Sequence, residues 1–526
     1  MCQIYVNKMG KFFLIFIFSS FARLSYQEEY CYVDDQNPYV YFSSATAYSN
    51  VRSMNFEAAK NCEPIYTWGL IKHGTTYMSK DQIESTEKLF SIRDEILKNH
   101  REKRGKLCQK DLNNLESWNL KLDKNKADQL VTPGMIDQMQ FARRLKSVFS
   151  SLFKSTAEEY YEFQTSSSKI TKEGSIAFVG EILQKNVKGK DAKELGIIEN
   201  SWINEDENQN ADVEEMKKIL NSEETSRVMK EISTRLGFEK VLPFGLLTSM
   251  YEVCAFENAW GTDPTPAFCA AFLRDELQMI EYVWDLGNYY SYGYGNTKND
   301  NFGKPLFEDM LNKIIDASDG KLTKKGSFLF SEQSPISAII KKLGLYHDEQ
   351  PLKHDNYQIM TNSRKWRSSI IDCFSSNILA VVYSCSGDNH KRVEFYHNEN
   401  SIKIPQCEKD YCSIKELKQL KSKINVEAAE KKNPEEKTDD NSPPKSDGKN
   451  KDDTPKDKYP EENKNSDKSQ PTNPDDGNKN RDKSQPGNTA AEEKNQNSGA
   501  TVILINLGVL CLSCCFCLLA FYTNYN

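Results

Sequence analysis

The stretch G-L-I-K-H-G-T-T-Y-M-S-K, Gly69 to Lys80, decides the fold. The apolar run T-W-G-L-I-K reads as a buried strand that delivers His73 at its C-terminal edge, and Gly74 lets the backbone turn. Ser79 with Gln82 three residues later is a capping box, so a helix follows at once. In α/β sheets ligands bind beyond the strand ends, close to a helix N-terminus that favours anions. A lone histidine is usually a structural or surface residue. One that follows a buried strand and precedes Gly-Thr points instead to phosphate chemistry. Yet the stretch offers one cation beside His73, Lys72, where a phosphate site needs several.

Outward from this stretch both periodicities appear. Ile83, Leu89, Phe90, Ile92, Ile96 and Leu97 give an apolar face that predicts a helix across Lys80 to His100. Thr132-Pro133 opens another, with proline in the first turn. Strands are expected at Ile65–Lys72, Tyr160–Thr165, Ile378–Ser384 and Val393–Tyr396. Helical stretches between strands so distant in sequence predict an α/β fold, a sheet with a helical insertion. The formal charge of -7 comes without a basic stripe, which argues against nucleic acid as a partner.

The ends read differently. Lys8 and Lys11 precede the apolar run Phe12–Ala22, too short to span a bilayer, so residues 1–26 are expected to be a secretory signal. Cys31, Cys62, Cys108, Cys254, Cys269, Cys373, Cys385, Cys407 and Cys412 then fall in an oxidising compartment, where most should pair. Cys407 with Cys412 and Cys254 with Cys269 are near enough to bridge, and the odd number leaves one thiol free or bonded to another chain. None of them stands at zinc spacing, and no metal site is expected. Residues 427–501 lack Val, Ile, Leu, Met, Phe and Trp and carry an imperfect polar repeat, from Asn463 and again from Asn478. That composition cannot bury enough apolar surface to fold, and predicts a disordered polar stalk. Val502–Tyr522 is long enough to cross the hydrocarbon core once as a transmembrane helix, with the folded body outside. A cleaved lipid-anchor signal is the alternative, given the small residues Ser498, Gly499 and Ala500. Residues 30–425 remain as the folded ectodomain.

The opening stretch resembles the R-H-G-T-R-x-P signature of the histidine acid phosphatases. The body looks most like multiple inositol polyphosphate phosphatase within that family. Gln140–Phe149 follows L-V-T-P-G in the family's manner. Phe268–Gly295 is similar to its Cys-to-Gly-Tyr-Gly helix block, and Arg364–Cys385 and Asn398–Cys407 match its C-terminal strands. The resemblance covers about Cys31 to Leu417. It implies a phosphoglycerate-mutase-like core with a helical cap roughly within 165–310. It also implies a phosphomonoester substrate, inositol polyphosphates above all, and no cofactor. By position His73 would be the nucleophile that forms a phosphohistidine. The family cradles the phosphoryl oxygens with the two signature arginines, a third arginine and the histidine of a later H-A-E motif, whose acid protonates the leaving oxygen.

At almost every cradle position this sequence departs. Lys72 and Thr76 stand for the signature arginines, beside Thr75, and Met78 for the proline. The third arginine falls on Ile170, or on Lys169 with a one-residue slip. The H-A-E motif becomes Glu332, Gln333 and Ser334, so a buried glutamate replaces the histidine. Losing one preorganised donor typically costs ~10²–10³ in rate, and losing three should cost well over 10³ even without additivity. The expectation is a scaffold with His73 and Glu332 as catalytic candidates and Lys72, Thr75, Thr76 and Lys169 as candidate substrate contacts, its activity weak or lost. The alternative is a working phosphatase with a rebuilt cradle of Lys72, Lys169 or Lys172.

Overall fold

The structure, a computed structural model, describes residues 31–32, 40–204, 214–261, 265–296, 301–386 and 390–430. The expected signal at 1–26, the expected transmembrane helix at 502–522 and all but the first residues of the expected stalk at 427–501 lie outside the described residues. No helix among the described residues is long and apolar enough to cross a membrane.

A mixed sheet organises the chain, in the order β3-β2-β4-β1-β5-β6-β7, with β8 also paired to β6. The strands are β1 Cys62–Lys72, β2 Tyr161–Thr165, β3 Ile197–Glu199, β4 Gly326–Ser331, β5 Asn377–Cys385, β6 Lys391–His397, β7 Asn400–Ile402 and β8 Cys412–Ser413. β1, β2, β3 and β4 run parallel, and β5 turns antiparallel against β1. All four expected strands are present within a few residues. β4, at the centre of the parallel half, was not expected.

Alternation along the strands divides the core. Trp68 and Leu70 of β1, Leu329 of β4 and Ile378, Ala380 and Val382 of β5 enter one apolar cluster. Ile71, Phe328, Phe330, Leu379, Val381 and Tyr383 enter the other. Because successive side chains leave opposite faces and both faces are covered, these strands are apolar throughout. The second cluster is roofed by the helices Thr132–Val148 and Lys169–Leu183, and the first by Phe244–Trp260, Arg274–Ser291 and Lys304–Ser318. Lys169–Leu183 belongs to the sheet's own cover, and the described residues turn wholly helical only between β3 and β4.

The predicted helix over Lys80–His100 is two, Lys80–Thr86 and Leu89–Arg101. The hydroxyls of Ser85 and Thr86 both donate to the carbonyl of Gln82, at 2.9 and 2.8 Å. Such local bonds compete with the helical ladder and end the first helix there. The Ser79–Gln82 capping box forms as expected.

Four disulfides join Cys31–Cys108, Cys62–Cys385, Cys254–Cys269 and Cys407–Cys412, including both expected bridges. Among the described cysteines Cys373 keeps a free thiol, fully buried, and burial pushes its pKa up. In the folded protein Cys373 is expected to resist iodoacetamide and to be alkylated only after denaturation without reductant, as read by peptide mapping. Labelling of native protein at Cys373, or a covalent dimer through it, would contradict this placement.

Candidate active site

Parallel pairing assembles the site. Lys72 of β1 lies opposite Ser331 of β4, and the backbone N–H of His73 donates to the Ser331 carbonyl at 3.2 Å. On the far side of β4, Ser166 N–H donates to the Phe330 carbonyl at 3.0 Å. The carboxyl ends of β1, β4 and β2 thus deliver His73, Glu332 and the Ser168–Ile170 segment to one cleft, where α/β sheets bind ligands. The signature glycine is needed for close approach: a Cβ on Gly74 would sit 2.2 Å from the carbonyl oxygen of Gly134, at the start of the Thr132–Val148 helix.

The cleft encloses about 680 Å³. A further wall of the cleft comes from Ser43–Ala45, then Tyr251, Glu252 and Phe256 of the Phe244–Trp260 helix, with Trp284 and Tyr292. Gln82 ties the two walls, since its side-chain oxygen accepts from Ser79 N–H while its amide donates to Glu252 Oε1 at 2.9 Å.

The Nδ1 of His73 lies 2.9 Å from the Gly74 carbonyl, which selects the Nδ1–H tautomer and leaves the Nε2 lone pair free. Burial, reinforced by the Lys72 cation, holds the imidazole down at about 3, which favours the neutral ring.

The other predicted contacts fare unevenly. Lys72 reaches the cleft wall, but its Nζ is held by the main-chain carbonyl of Asp372, and burial lowers its pKa. Lys169 stands at the mouth, its side chain 68% exposed and its Nζ 3.8 Å from Glu173. Ile170 lines the cleft too, so both registers for the missing arginine place their residue there. Lys172 is spent on Glu199 at 2.7 Å and does not line the cleft. Thr75 and Thr76 are buried and absent from the wall. Thr75 is wedged against Gly134, and the Thr76 carbonyl accepts from the Trp260 indole at 2.9 Å. Glu332 does line the cleft, as the residue before the Gln333–Lys342 helix, but it is half-buried rather than buried.

Sequence reasoning missed Asp128 and Glu252, both on the cleft wall, and Asp372 beneath it. Asp372 is fully buried, accepts from Asn288 at 2.9 Å, and is pushed up to about 6 by burial. No sequence signal marks any of the three. The lining residues therefore carry Asp128, Glu252 and Glu332 against Lys72 and Lys169, and no guanidinium.

Residues 69–398 match the family described as the histidine phosphatase superfamily (branch 2). Multiple inositol polyphosphate phosphatase 1 of Drosophila melanogaster is 27% identical over 406 residues, covering 73% of this chain and 86% of the relative. The Homo sapiens protein of that name is 24% identical over 422 residues, covering 72% and 85%. Among solved structures, the phytase from D. castellii superposes with a TM-score of 0.59 at 15% identity, over 76% of this chain and 89% of that one. Multiple inositol polyphosphate phosphatase of Bifidobacterium longum in complex with phosphate gives 0.54 at 16% identity, over 72% and 96%.

Proposed function

The chain belongs to branch 2 of the histidine phosphatase superfamily, and from that premise we propose that it is a phosphatase scaffold whose phosphomonoesterase activity is weak or lost. One observation carries this reading: the cleft around His73 is lined by three carboxylates and no guanidinium.

Phosphoryl transfer to His73 would form an Nε2–P bond as the ester P–O bond breaks, and the departing alkoxide would need a proton. The nucleophile is in order. The cradle is not, because of the two lysines one is buried with its Nζ on the Asp372 carbonyl and the other sits at the solvent edge. A phosphate dianion entering beside Glu332 and Glu252 meets more repulsion than neutralisation. Ser334 lines the cleft where the family's proton donor is expected, and a serine hydroxyl is too weak an acid for that task. Glu332 is the carboxyl left to deliver a proton. Each missing donor is worth ~10²–10³, so the deficit is on the order of 10³ or more.

The geometry of His73 supports a second reading: residual hydrolysis of inositol polyphosphates, the class named for the relatives, through a phosphohistidine. Four disulfides support an oxidising compartment. With the composition of residues 1–26, 427–501 and 502–522, they favour an ectodomain at 30–425 carried on a stalk and a membrane anchor.

Phosphate release by the detergent-solubilised full chain tests the proposal, with inositol hexakisphosphate and p-nitrophenyl phosphate from acidic to neutral pH, beside His73→Ala. The expected result is no release that depends on His73. Brisk turnover abolished by His73→Ala would overturn it in favour of the second reading.

A further inference from the structure

The cleft is intact although its cradle is gone. Its volume of about 680 Å³ lies within the range of small-molecule sites, ~300–1,000 Å³. The lining of the cleft that holds His73 also combines carboxylate and aromatic groups: Glu252, Tyr251 and Phe256 of one helix, with Trp284 and Tyr292. Glu252 is half-buried, burial raises its pKa against the lowering effect of the Gln82 hydrogen bond to Oε1, and no described residue donates to its second oxygen, where a bound cation would favour the charged form. Asp128 adds a carboxylate at the rim and Glu332 another at the end of β4.

The opposing charges are weak by placement. The Lys72 ammonium is bonded to a main-chain carbonyl above the buried Asp372, Lys169 extends into solvent, and the His73 ring is neutral. Carboxylates among aromatic faces in a partly desolvated cleft are the chemistry that recognises organic cations, whose charge is drawn both to the carboxylate and to the ring quadrupole.

Resting on the reading that this site no longer holds a phosphate dianion, we infer that the cleft binds a small organic polycation of the alkylammonium class. The Glu252–Trp284 wall is its recognition surface. Glu252, Asp128 and Glu332 line one cleft, so a ligand carrying two or three ammonium groups would find more than one carboxylate there.

Calorimetric titration of the full chain with spermidine, inorganic phosphate, inositol hexakisphosphate and a tetralysine peptide tests this. Spermidine is expected to bind with a salt-sensitive affinity. Glu252→Gln and Trp284→Ala should each weaken it at least ~5-fold, as removal of one desolvated charge or cation–π partner would, while the surface change Glu194→Gln leaves it unaltered. Spermidine binding that ignores both cleft variants would belong to the acidic stalk and overturn the inference. So would binding of tetralysine alone, or of inositol hexakisphosphate in place of spermidine. Absence of spermidine binding in a protein that also lacks phosphatase activity sinks the cation site and leaves the proposed loss of activity standing.

Discussion

Replacing Arg364 with leucine is expected to lower stability by about 3–5 kcal/mol near neutral pH, the usual consequence of stranding a buried charge. The guanidinium is buried, its side chain 1% exposed, and bridges two carboxylates one helical turn apart on Arg274–Ser291: its Nε donates to Asp285 Oδ2 at 2.7 Å and a terminal nitrogen to Glu281 Oε2 at 2.8 Å. Arg367 also reaches Glu281, at 3.0 Å, and the Ser368 N–H donates to Asp285 at 2.8 Å. Both carboxylates are fully buried, so removing Arg364 leaves them facing each other with only Arg367 in compensation. The pH dependence follows. Burial and the neighbouring Asp285 already push Glu281 up to about 7, above its unfolded value, so the folded state holds the extra proton. Stability from that proton is present on the acid side and is lost as pH rises through about 7. Removing the cation strengthens this trend, and the deficit of Arg364→Leu should shrink toward pH 5. Urea midpoints followed by tryptophan fluorescence at pH 5 and 7.5 read both effects. An unchanged midpoint, or a deficit that grows on acidification, would show that the cluster is not what holds this layer.

That cluster also explains why the scaffold was legible and much of the site was not. The blocks that carry the family resemblance, Phe268–Gly295 and Arg364–Cys385, are the segments that supply Glu281, Asp285, Arg364 and Arg367 and then β5. Their order in the chain reflects packing, which the sequence retains. β4 escaped notice because it is six residues long, buried on both faces and continuous with the Gln333–Lys342 helix, so no alternation separates it from helical core. His73 was readable from its neighbours alone, since strand, glycine and capping box are all local. The behaviour of Lys72 was not, because its partner carbonyl lies 300 residues away. Nor could Glu252 be singled out: it is one polar residue in a mostly apolar helix, and only the folding of that helix onto the sheet places it in the same cleft as His73. Thr75 and Thr76 illustrate the converse error. Adjacency to the nucleophile suggested contact with substrate, yet the chain dives under the Thr132–Val148 helix immediately after Gly74.

If cationic donors are what the cleft lacks, returning them should restore chemistry. The double variant Lys72→Arg and Glu332→His is expected to gain at least ~10² in His73-dependent kcat/KM on inositol hexakisphosphate. One preorganised donor is worth ~10²–10³, and two acting on one group are not additive. Each change addresses a separate defect. Burial lowers the pKa of the Lys72 ammonium, whereas a guanidinium keeps its charge under desolvation and offers two parallel N–H groups to phosphoryl oxygens. Glu332→His removes a carboxylate from the cleft wall and puts an N–H donor at the carboxyl end of β4, adjacent to the strand that presents His73, and its imidazolium form can hand the leaving oxygen the proton that Glu332 would otherwise deliver. Thr76→Arg is the less favourable third step, because that side chain is buried beneath the Trp260 contact and a longer one must displace neighbours before it reaches the cleft. An unfolding free energy from urea titration within ~1 kcal/mol of the parent establishes that a variant is folded, and His73→Ala on the same background must abolish the gain. A folded double variant with no gain would mean that the cleft's remaining acids, Glu252 and Asp128, exclude phosphate on their own, and the deficit would then lie in that part of the lining.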